Sequence, residues 1–299
     1  MNWKKISLTK LTLLLLIMVG TIQAQTKITV DVNKPGHVIS PTLFGIFFED
    51  INLSADGGLY PELVRNRSFE DADTLQSWKF ISLQGKSEAK ISPAEIYARP
   101  QIPPLNPFNR KALLISAAGS FKLKNSGYWG MNMVQGGSYT LKLAARAIDG
   151  FSSPLKIRIL DTKGNEISSA EIKGITGSWA YYTANLKMST GDPKASLEIS
   201  GEGNGKLFMD MVSLMPDKTW KNHGLRTDLA EAFDAIHPKL FRFPGGCWVE
   251  GNEMKQMNQW KKTIGNIDTR TPLWNFWGYN ATNWLGFHEY LQLAEDLGA

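Results

Sequence analysis

Two acidic side chains stand directly after an apolar stretch near the start of the chain. Residues 43–48 read LFGIFF, and Glu49 and Asp50 follow them. An apolar run without alternation is typical of a strand buried on both faces, as in a parallel sheet or barrel. Parallel α/β folds gather their functional groups at the C-terminal ends of such strands. These carboxylates are therefore candidate ligand-binding groups, and a capping or turn acid is the alternative role.

A second predicted strand also ends in unusual residues. Residues 239–243 read KLFRF, and a rigid turn of Pro244, Gly245 and Gly246 leads from them to Cys247. Cys247 is the one cysteine of the chain, so it forms no internal disulfide. No histidine adjoins it in the sequence, which favours a small buried apolar side chain over a reactive thiol.

Two segments of the chain have apolar residues at helical spacing. The spacing of apolar residues predicts one helix over 225–236, ended by Pro238, and another over 287–297 with Gly298 as its C-cap. Two strand–helix units are too few to close a parallel sheet. The chain is therefore either a piece of a longer protein with an incomplete barrel, or its last third packs onto something else.

The middle of the chain has a different pattern. From about Trp78 onward, short strands with period-two alternation are separated by turn signals, and residues 161–165 read as a hairpin loop. This pattern indicates an antiparallel β-sandwich over residues 75–216. Residues 27–32 also alternate like a half-buried strand, ending at Pro35 and Gly36.

The first residues have the pattern of a secretory signal peptide. Lys4, Lys5 and Lys10 precede a short apolar run, and Ala24 precedes the expected cleavage site. An uncleaved membrane anchor is the alternative, but the run is short for a span of about 20 residues. Removal of three lysines lowers the net charge from +5 to +2, so the basic composition gives little reason to expect a nucleic-acid partner. We expect a secreted or periplasmic protein with no membrane contact after cleavage.

Several long segments resemble family 51 of the glycoside hydrolases, the α-L-arabinofuranosidases. The matching blocks read ISPTLFGIFFEDIN at 39–52, GGLYPELVRNRSFE at 57–70, FRFPGGCWVEG at 241–251, WKKTIG at 260–265 and GFHEYLQLAEDLG at 286–298. The resemblance implies a multidomain α/β plus all-β protein. A (β/α)8 TIM barrel would begin at 43–48 and be interrupted by a jelly-roll β-sandwich similar to a carbohydrate-binding module.

The implied domain organisation has four parts. Residues 1–24 are the signal peptide, and 25–74 hold a terminal-sandwich strand, at 28–32, and the first barrel strand. Residues 75–216 form the inserted sandwich, and 217–299 form the second βα unit of a truncated barrel.

The same resemblance assigns roles to individual residues. Glu49 would hydrogen-bond hydroxyls of the arabinofuranose ring, Cys247 would line the same pocket, and Trp277 would form an apolar wall. Arg242 is expected to support the barrel floor through an ion pair. The family is retaining and uses two glutamates about 5 Å apart, which are expected beyond Ala299. The Asn252–Glu253 pair does not end a strand and is not that motif.

The expected activity is release of non-reducing-end α-L-arabinofuranosyl side chains from arabinoxylan or arabinan, with this piece inactive alone. A non-catalytic carbohydrate-binding protein and an endo-acting relative are the alternatives. No cofactor is expected, and no His/Cys spacing indicates zinc. A structural calcium ion and a homo-oligomer stay open. Four aromatic residues of the sandwich are candidates for stacking on sugar, although most are expected in the core: Trp78, Trp129, Trp179 and Tyr181.

Overall fold

A computed structural model of the chain describes residues 26–92 and 104–299. The expected signal peptide lies outside the described residues. Those that are described fall into two compact units, 26–40 and Pro41–Ala299. In the first, Asp31 forms a turn in which its carbonyl accepts a hydrogen bond from the Lys34 N–H at 3.1 Å. The predicted strand over 28–32 is not present, and its valines are more than three-quarters exposed. A half-buried strand forms only against a partner strand, and this segment pairs with none among the described residues.

The second unit is dominated by one nine-stranded antiparallel sheet that folds over on itself. The strands are β2 Trp78–Ser82, β3 Glu88–Ser92, β4 Ala112–Asn125, β5 Met131–Met133, β6 Ser138–Ile148, β7 Leu155–Leu160, β8 Glu166–Ile172, β9 Ala180–Lys187 and β10 Asp192–Pro216. Neighbouring strands follow the order β2-β4-β10-β6-β9, while β3 pairs with β4, β5 and β7 pair with β10, and β8 pairs with β7. The loop predicted at 161–165 joins β7 to β8, as expected for a hairpin.

Alternation along these strands builds the sandwich core. Successive odd residues of β6, from Tyr139 to Ala147, point inward and are buried, as are their counterparts on β4, β7 and β10. The core also includes Val64 and Phe69, which precede β2 in the chain. Phe69 stacks on Trp78 with ring centroids 5.4 Å apart. The hydrophobic core of the sandwich therefore includes residues that precede the predicted boundary at residue 75.

The remaining elements form a small α/β part. Strand β1, Ile46–Phe47, pairs in parallel with β11, Phe241–Arg242, and helix α1, Thr227–Asp234, lies between them in the chain. This parallel pairing is the one predicted from the two apolar segments. The sheet has only these two strands and is not a closed barrel within the described residues.

The exposure of this sheet differs from the prediction of a strand buried on both faces. Phe44 is 63% exposed and Phe47 is 51% exposed, because among the described residues no further strand extends this two-stranded sheet. Arg242 lies over the Phe47 ring at 4.3 Å from its centroid. The ion pair expected for Arg242 is not formed among the described residues.

Short elements complete the chain. Helix α2 spans Cys247–Glu250, a hairpin pairs β12, Leu273–Asn275, with β13, Tyr279–Ala281, and helix α3 spans Phe287–Leu297. Single 3₁₀ turns lie at Pro41–Leu43, Trp260–Thr263 and Ile267–Thr269. Helix α3 ends at Gly298 with φ 68°, the left-handed C-cap predicted from the sequence. No helix in the described ranges has the length and apolar character to cross a membrane.

A buried ion cluster joins the sandwich to the α/β part. The Arg67 guanidinium donates to Glu62 Oε2 at 3.3 Å and to Asp268 Oδ1, and all three side chains are at least 95% buried. Glu62 also accepts hydrogen bonds from the Ser213 hydroxyl at 2.6 Å and the Leu214 N–H at 2.9 Å, both on β10. Every charge in the cluster is therefore paired and hydrogen-bonded, as burial requires.

Asp268 extends this cluster to β6 and β9. Its Oδ2 accepts from Lys142 Nζ and from the Tyr181 hydroxyl, each at 2.9 Å. Burial acts to raise the pKa of Asp268, but the cations Arg67 and Lys142 outweigh it and hold the pKa below its usual value. Arg67 also lies 3.8 Å from the ring centroid of Trp284, so the cluster is covered on its remaining side.

Candidate functional site

Glu49 projects from the end of β1 toward the turn that follows β11. Its Oε1 accepts a hydrogen bond from the Trp248 N–H at 3.0 Å and lies 3.4 Å from the Trp277 indole Nε1. Among the described residues, both hydrogen bonds to this carboxylate end on Oε1, while Oε2 faces Gly246. Glu49 is half-buried. The carboxylate is thus held through Oε1, and Oε2 has no hydrogen-bond partner among the described residues.

The turn after β11 is shaped to let Glu49 approach. The Phe243–Pro244 peptide bond is cis, and the Asp50 N–H donates to the Pro244 carbonyl at 3.1 Å. Gly245 has φ 151°, and a Cβ built on it would lie 2.5 Å from Glu49 Cγ. Only glycine fits here without moving the carboxylate.

Cys247 begins helix α2, between Gly246 and Trp248, which both adjoin Glu49. Its side chain is exposed. The expectation of a buried apolar cysteine is therefore wrong here, because the turn through Gly245 and Gly246 places Cys247 at the surface and not in the core. Trp248, the next residue, is the one that packs inward, with 2% of its surface exposed.

Trp277 sits at the tip of the hairpin between β12 and β13. The Asn275 side chain fixes this tip, since its Oδ1 accepts from the Trp277 N–H at 2.9 Å and its Nδ2 donates to the Asp50 carbonyl at 2.8 Å. The Tyr279 hydroxyl donates to Asp50 Oδ1 at 2.9 Å. Trp277 is 39% exposed, so part of its side chain is accessible to a ligand.

Two buried carboxylates lie beneath this surface. Burial raises the pKa of Asp50 from 3.8 to about 6, against the hydrogen bonds from Tyr279 and Ala55 that lower it. Burial, together with the negative charge of Asp50, raises the pKa of Asp56 to about 7. Asp56 accepts from the Thr282 hydroxyl at 2.7 Å and from the Thr282 N–H at 2.9 Å. A cavity of about 30 Å³ adjoins both acids, enough for one water molecule.

The two acids thus clamp the hairpin that carries Trp277. Asp50 holds its β12 end and Tyr279, and Asp56 holds the residue just after β13. Asp50 therefore has the role of a turn acid, the alternative that the sequence left open for Glu49 and Asp50. Sequence reasoning did not find Asp56 or Tyr279. The only signal was the polar type of these residues, and that signal does not say which loop they contact.

The structure brings Glu49, Cys247 and Trp277 to one surface, although 228 positions of sequence separate Glu49 from Trp277. Glu253, from the Asn–Glu pair set aside above, lies elsewhere on an exposed loop and pairs with Lys255 at 2.8 Å. Of the four aromatic candidates for stacking, Trp78 is 5% exposed, Tyr181 contacts Asp268, Trp179 packs edge-on against Phe208 at 6.3 Å, and Trp129 is 68% exposed. In the described part of the chain, no three His, Cys, Asp or Glu side chains form a group that would hold a metal ion.

Comparison with known proteins adds an independent observation. Residues 232–299 match the family described as "Alpha-L-arabinofuranosidase 1 domain". An extracellular exo-α-L-arabinofuranosidase of Streptomyces chartreusis is 38% identical over 290 residues, which cover 91% of this chain and 33% of that protein. An arabinose-bound α-L-arabinofuranosidase structure of family 51 superimposes with a TM-score of 0.78 at 32% identity, covering 89% of this chain. Over these regions the chain is similar to α-L-arabinofuranosidases, among them one of family 51.

A plant protein is also similar to this chain. "Alpha-L-arabinofuranosidase 1" of Arabidopsis thaliana is 32% identical over 284 residues, which cover 89% of this chain and 40% of that protein. The chain therefore spans between a third and a half of the length of these relatives. Both the sandwich and the α/β part fall within the matched region, since nearly nine-tenths of the chain is aligned.

Proposed function

We propose that this chain supplies one wall of the arabinofuranose-binding pocket of a retaining, non-reducing-end α-L-arabinofuranosidase. Glu49 binds ring hydroxyls, Trp277 covers an apolar face of the sugar, and Cys247 lines the rim between them. The substrate would be an arabinofuranosyl side chain of arabinoxylan or arabinan. The observation that carries the proposal is the half-buried carboxylate of Glu49, anchored through Oε1 alone at the C-terminal end of a parallel strand.

The chemistry of the three groups suits this role. A carboxylate oxygen accepts hydrogen bonds from hydroxyls, and charge-assisted bonds of this kind are about twice as strong as neutral ones. The indole at position 277 offers a flat apolar face beside that oxygen. The Trp248 N–H orients the carboxylate without covering Oε2, so binding a sugar needs no rearrangement of Glu49.

Hydrolysis needs two further carboxyl groups about 5 Å apart across the anomeric carbon. We assign neither role to a residue of this chain. In this proposal β1 and β11 are neighbouring strands of a (β/α)8 barrel, and later strands of that barrel carry the acid/base and the nucleophile. The 299-residue chain would then bind arabinose weakly and leave an aryl α-L-arabinofuranoside intact.

The location and the sandwich belong to the same proposal. Residues 1–24 act as an export signal, so the protein works outside the cytoplasm, where plant polysaccharides are met. Residues 75–216 form the inserted module, and 217–299 belong to the catalytic barrel. A non-catalytic carbohydrate-binding protein is the alternative outcome of the test below.

The decisive experiment measures L-arabinose binding by the purified chain with ligand-observed NMR. Glu49→Gln keeps the acceptor for the Trp248 N–H but loses the charge, and it should weaken binding about tenfold. Glu253→Gln makes the same change at an exposed loop and should leave binding unchanged. Equal affinity of both variants would overturn the role of Glu49. Hydrolysis of an aryl arabinofuranoside by the purified chain would contradict the assignment of catalysis to other residues.

A further inference from the structure

The hairpin that carries Trp277 is held at its stem as well as by the two buried acids. One guanidinium group binds the chain on both sides of this stem. Arg270 comes just before β12, and it donates to the carbonyls of Asn283 at 3.0 Å and Trp284 at 2.8 Å, which follow β13. The position of the stem is therefore set by Arg270.

Arg270 is itself fixed in place. It is 4% exposed, and it forms a bidentate ion pair with Glu289 in the first turn of helix α3, at 2.8 and 2.9 Å. It also donates to the Gly265 carbonyl at 2.9 Å. Its own carbonyl accepts from Asn109 Nδ2 at 3.2 Å, and Asn109 lies in the segment before β4 of the sandwich. The stem is therefore tied to the sandwich as well as to the α/β part.

Asp268 gives the sandwich a firmer hold on the same loop. Its Oδ2 accepts from Lys142 on β6 and from the Tyr181 hydroxyl on β9, each at 2.9 Å. Its carbonyl accepts from Asn109 at 2.9 Å and from Asn106 at 3.1 Å. Burial and then the negative charge of Asp268 raise the pKa of Tyr181, so this hydroxyl keeps its proton and donates. Side chains of the sandwich therefore fix the loop that leads into the hairpin stem.

The contact at the tip of the hairpin is sensitive to small movements. Trp277 Nε1 lies 3.4 Å from Glu49 Oε1, which is close to the distance at which a hydrogen bond is lost. The strands β12 and β13 pair in register from Leu273 and Ala281 at the stem to the residues beside the tip. A movement of the stem is therefore carried to Trp277.

We propose that Asp268 is a positioning residue for the arabinofuranose pocket, and that the sandwich, through Tyr181 and Lys142, sets the place of Trp277 beside Glu49. The inference rests on the proposed function, because it assigns part of the affinity of that pocket to residues outside it. The sandwich is then a structural component of the pocket, and it acts on sugar binding without touching the sugar.

The test compares two tyrosines that are neighbours on β9. Tyr181→Phe removes the hydroxyl that binds Asp268. Tyr182→Phe is the matched control, because its hydroxyl contacts Thr176 and Gly174 within the sandwich. The affinity of the full chain for L-arabinose, measured by ligand-observed NMR, should fall about threefold to tenfold in Tyr181→Phe and stay unchanged in Tyr182→Phe. Equal affinities of the two variants would refute the positioning role.

A spectroscopic readout separates positioning from loss of stability. In the chain labelled with 5-fluorotryptophan, the fluorine resonance that is missing from Trp277→Phe belongs to Trp277. Tyr181→Phe should shift or broaden that resonance, whereas Tyr182→Phe should leave it unchanged. A loss of affinity without a change in the Trp277 resonance would assign the effect to general destabilisation and overturn the proposal. So would an affinity that follows the urea midpoint in both variants.

A second pair of variants tests the ion pair. Lys142→Met removes the ammonium group that lies 2.9 Å from Asp268, and Lys142→Arg keeps a cation there. Arabinose affinity should fall with methionine and be restored with arginine, and the Trp277 resonance should move only with methionine. The same loss of affinity in both variants would contradict a role for this charge in positioning.

Failure of this inference is distinguishable from failure of the proposed function. If arabinose binding depends on Glu49 but responds equally to Tyr181→Phe and Tyr182→Phe, only the positioning role is refuted. If arabinose binding does not depend on Glu49, the pocket assignment is refuted. The fluorine resonance of Trp277 still tests positioning by the sandwich in that case, because it needs no ligand.

Discussion

Replacement of Asp50 by asparagine should change how the stability of the protein depends on pH. Asp50 is 3% exposed, and its pKa is raised from 3.8 to about 6, chiefly by burial. Between about pH 4 and pH 6 the Asp50 side chain of the folded protein therefore keeps a proton that the unfolded chain has already lost. Asparagine has the shape of the protonated acid, and its oxygen can still accept from the Tyr279 hydroxyl and the Ala55 N–H.

The sign and size of the effect follow from linkage. When an acid has a raised folded pKa, its stabilising contribution is complete below the unfolded pKa of about 4 and is lost as pH rises through about 6. One pKa unit corresponds to about 1.4 kcal/mol, so a shift of roughly two units costs about 3 kcal/mol between pH 4 and pH 8. Asp50→Asn should match the wild type near pH 4 and exceed its stability by up to that amount at pH 8.

Urea denaturation followed by tryptophan fluorescence between pH 4 and pH 8 measures this difference. Asp56 keeps part of the slope in the variant, because its own pKa is about 7. Loss of the Asp50 charge should lower that pKa as well, and the residual slope should move to lower pH. Asp73→Asn, at an acid whose side chain is 90% exposed, is the control and should leave the slope unchanged. An Asp50→Asn variant with the wild-type slope would refute the reasoning.

Two further substitutions test the junction and the turn. Arg67→Met leaves Glu62 and Asp268 buried without their shared cation, and it should lower the free energy of unfolding by about 3–5 kcal/mol; a loss below about 1 kcal/mol in urea titrations would show that the cluster is unimportant. Gly245→Ala puts a methyl group against Glu49 Cγ at a φ of 151°, so arabinose affinity should fall about tenfold. An unchanged dissociation constant in NMR titrations would contradict the second expectation.

The sequence predicts those parts of the fold that depend on local pattern. Period-two alternation predicted the strands of the sandwich. The helical spacing of apolar residues predicted α3, and Gly298 ends this helix in the left-handed conformation that glycine adopts readily. The two apolar segments with candidate functional residues at their ends were predicted as parallel strands, and they pair as such. Local pattern works here because burial of alternate or every third side chain is decided within a few residues.

Other features depend on contacts that no local pattern records. Arg67 and Asp268 pair across 201 positions of sequence, and nothing in either segment specifies the partner. The segment 28–32 alternates as a strand does, yet alternation does not supply a partner to pair with. Cys247 has an apolar, small side chain, but the glycine turn before it decides its exposure. Asp50 and Asp56 act through the hairpin 273–281, and nothing in the sequence of either segment specifies this contact.

The ion cluster at Arg67 has a consequence for anyone who wishes to excise or exchange the sandwich. A gene fragment cut at residues 75 and 216 would carry Lys142, Tyr181 and Ser213 away from Glu62, Arg67 and Asp268. Both pieces would expose groups that are now paired in the interior, and the cut would also remove Val64 and Phe69 from the sandwich core. A graft that keeps this ion cluster intact needs to begin before residue 62 and to include the loop that carries Asp268.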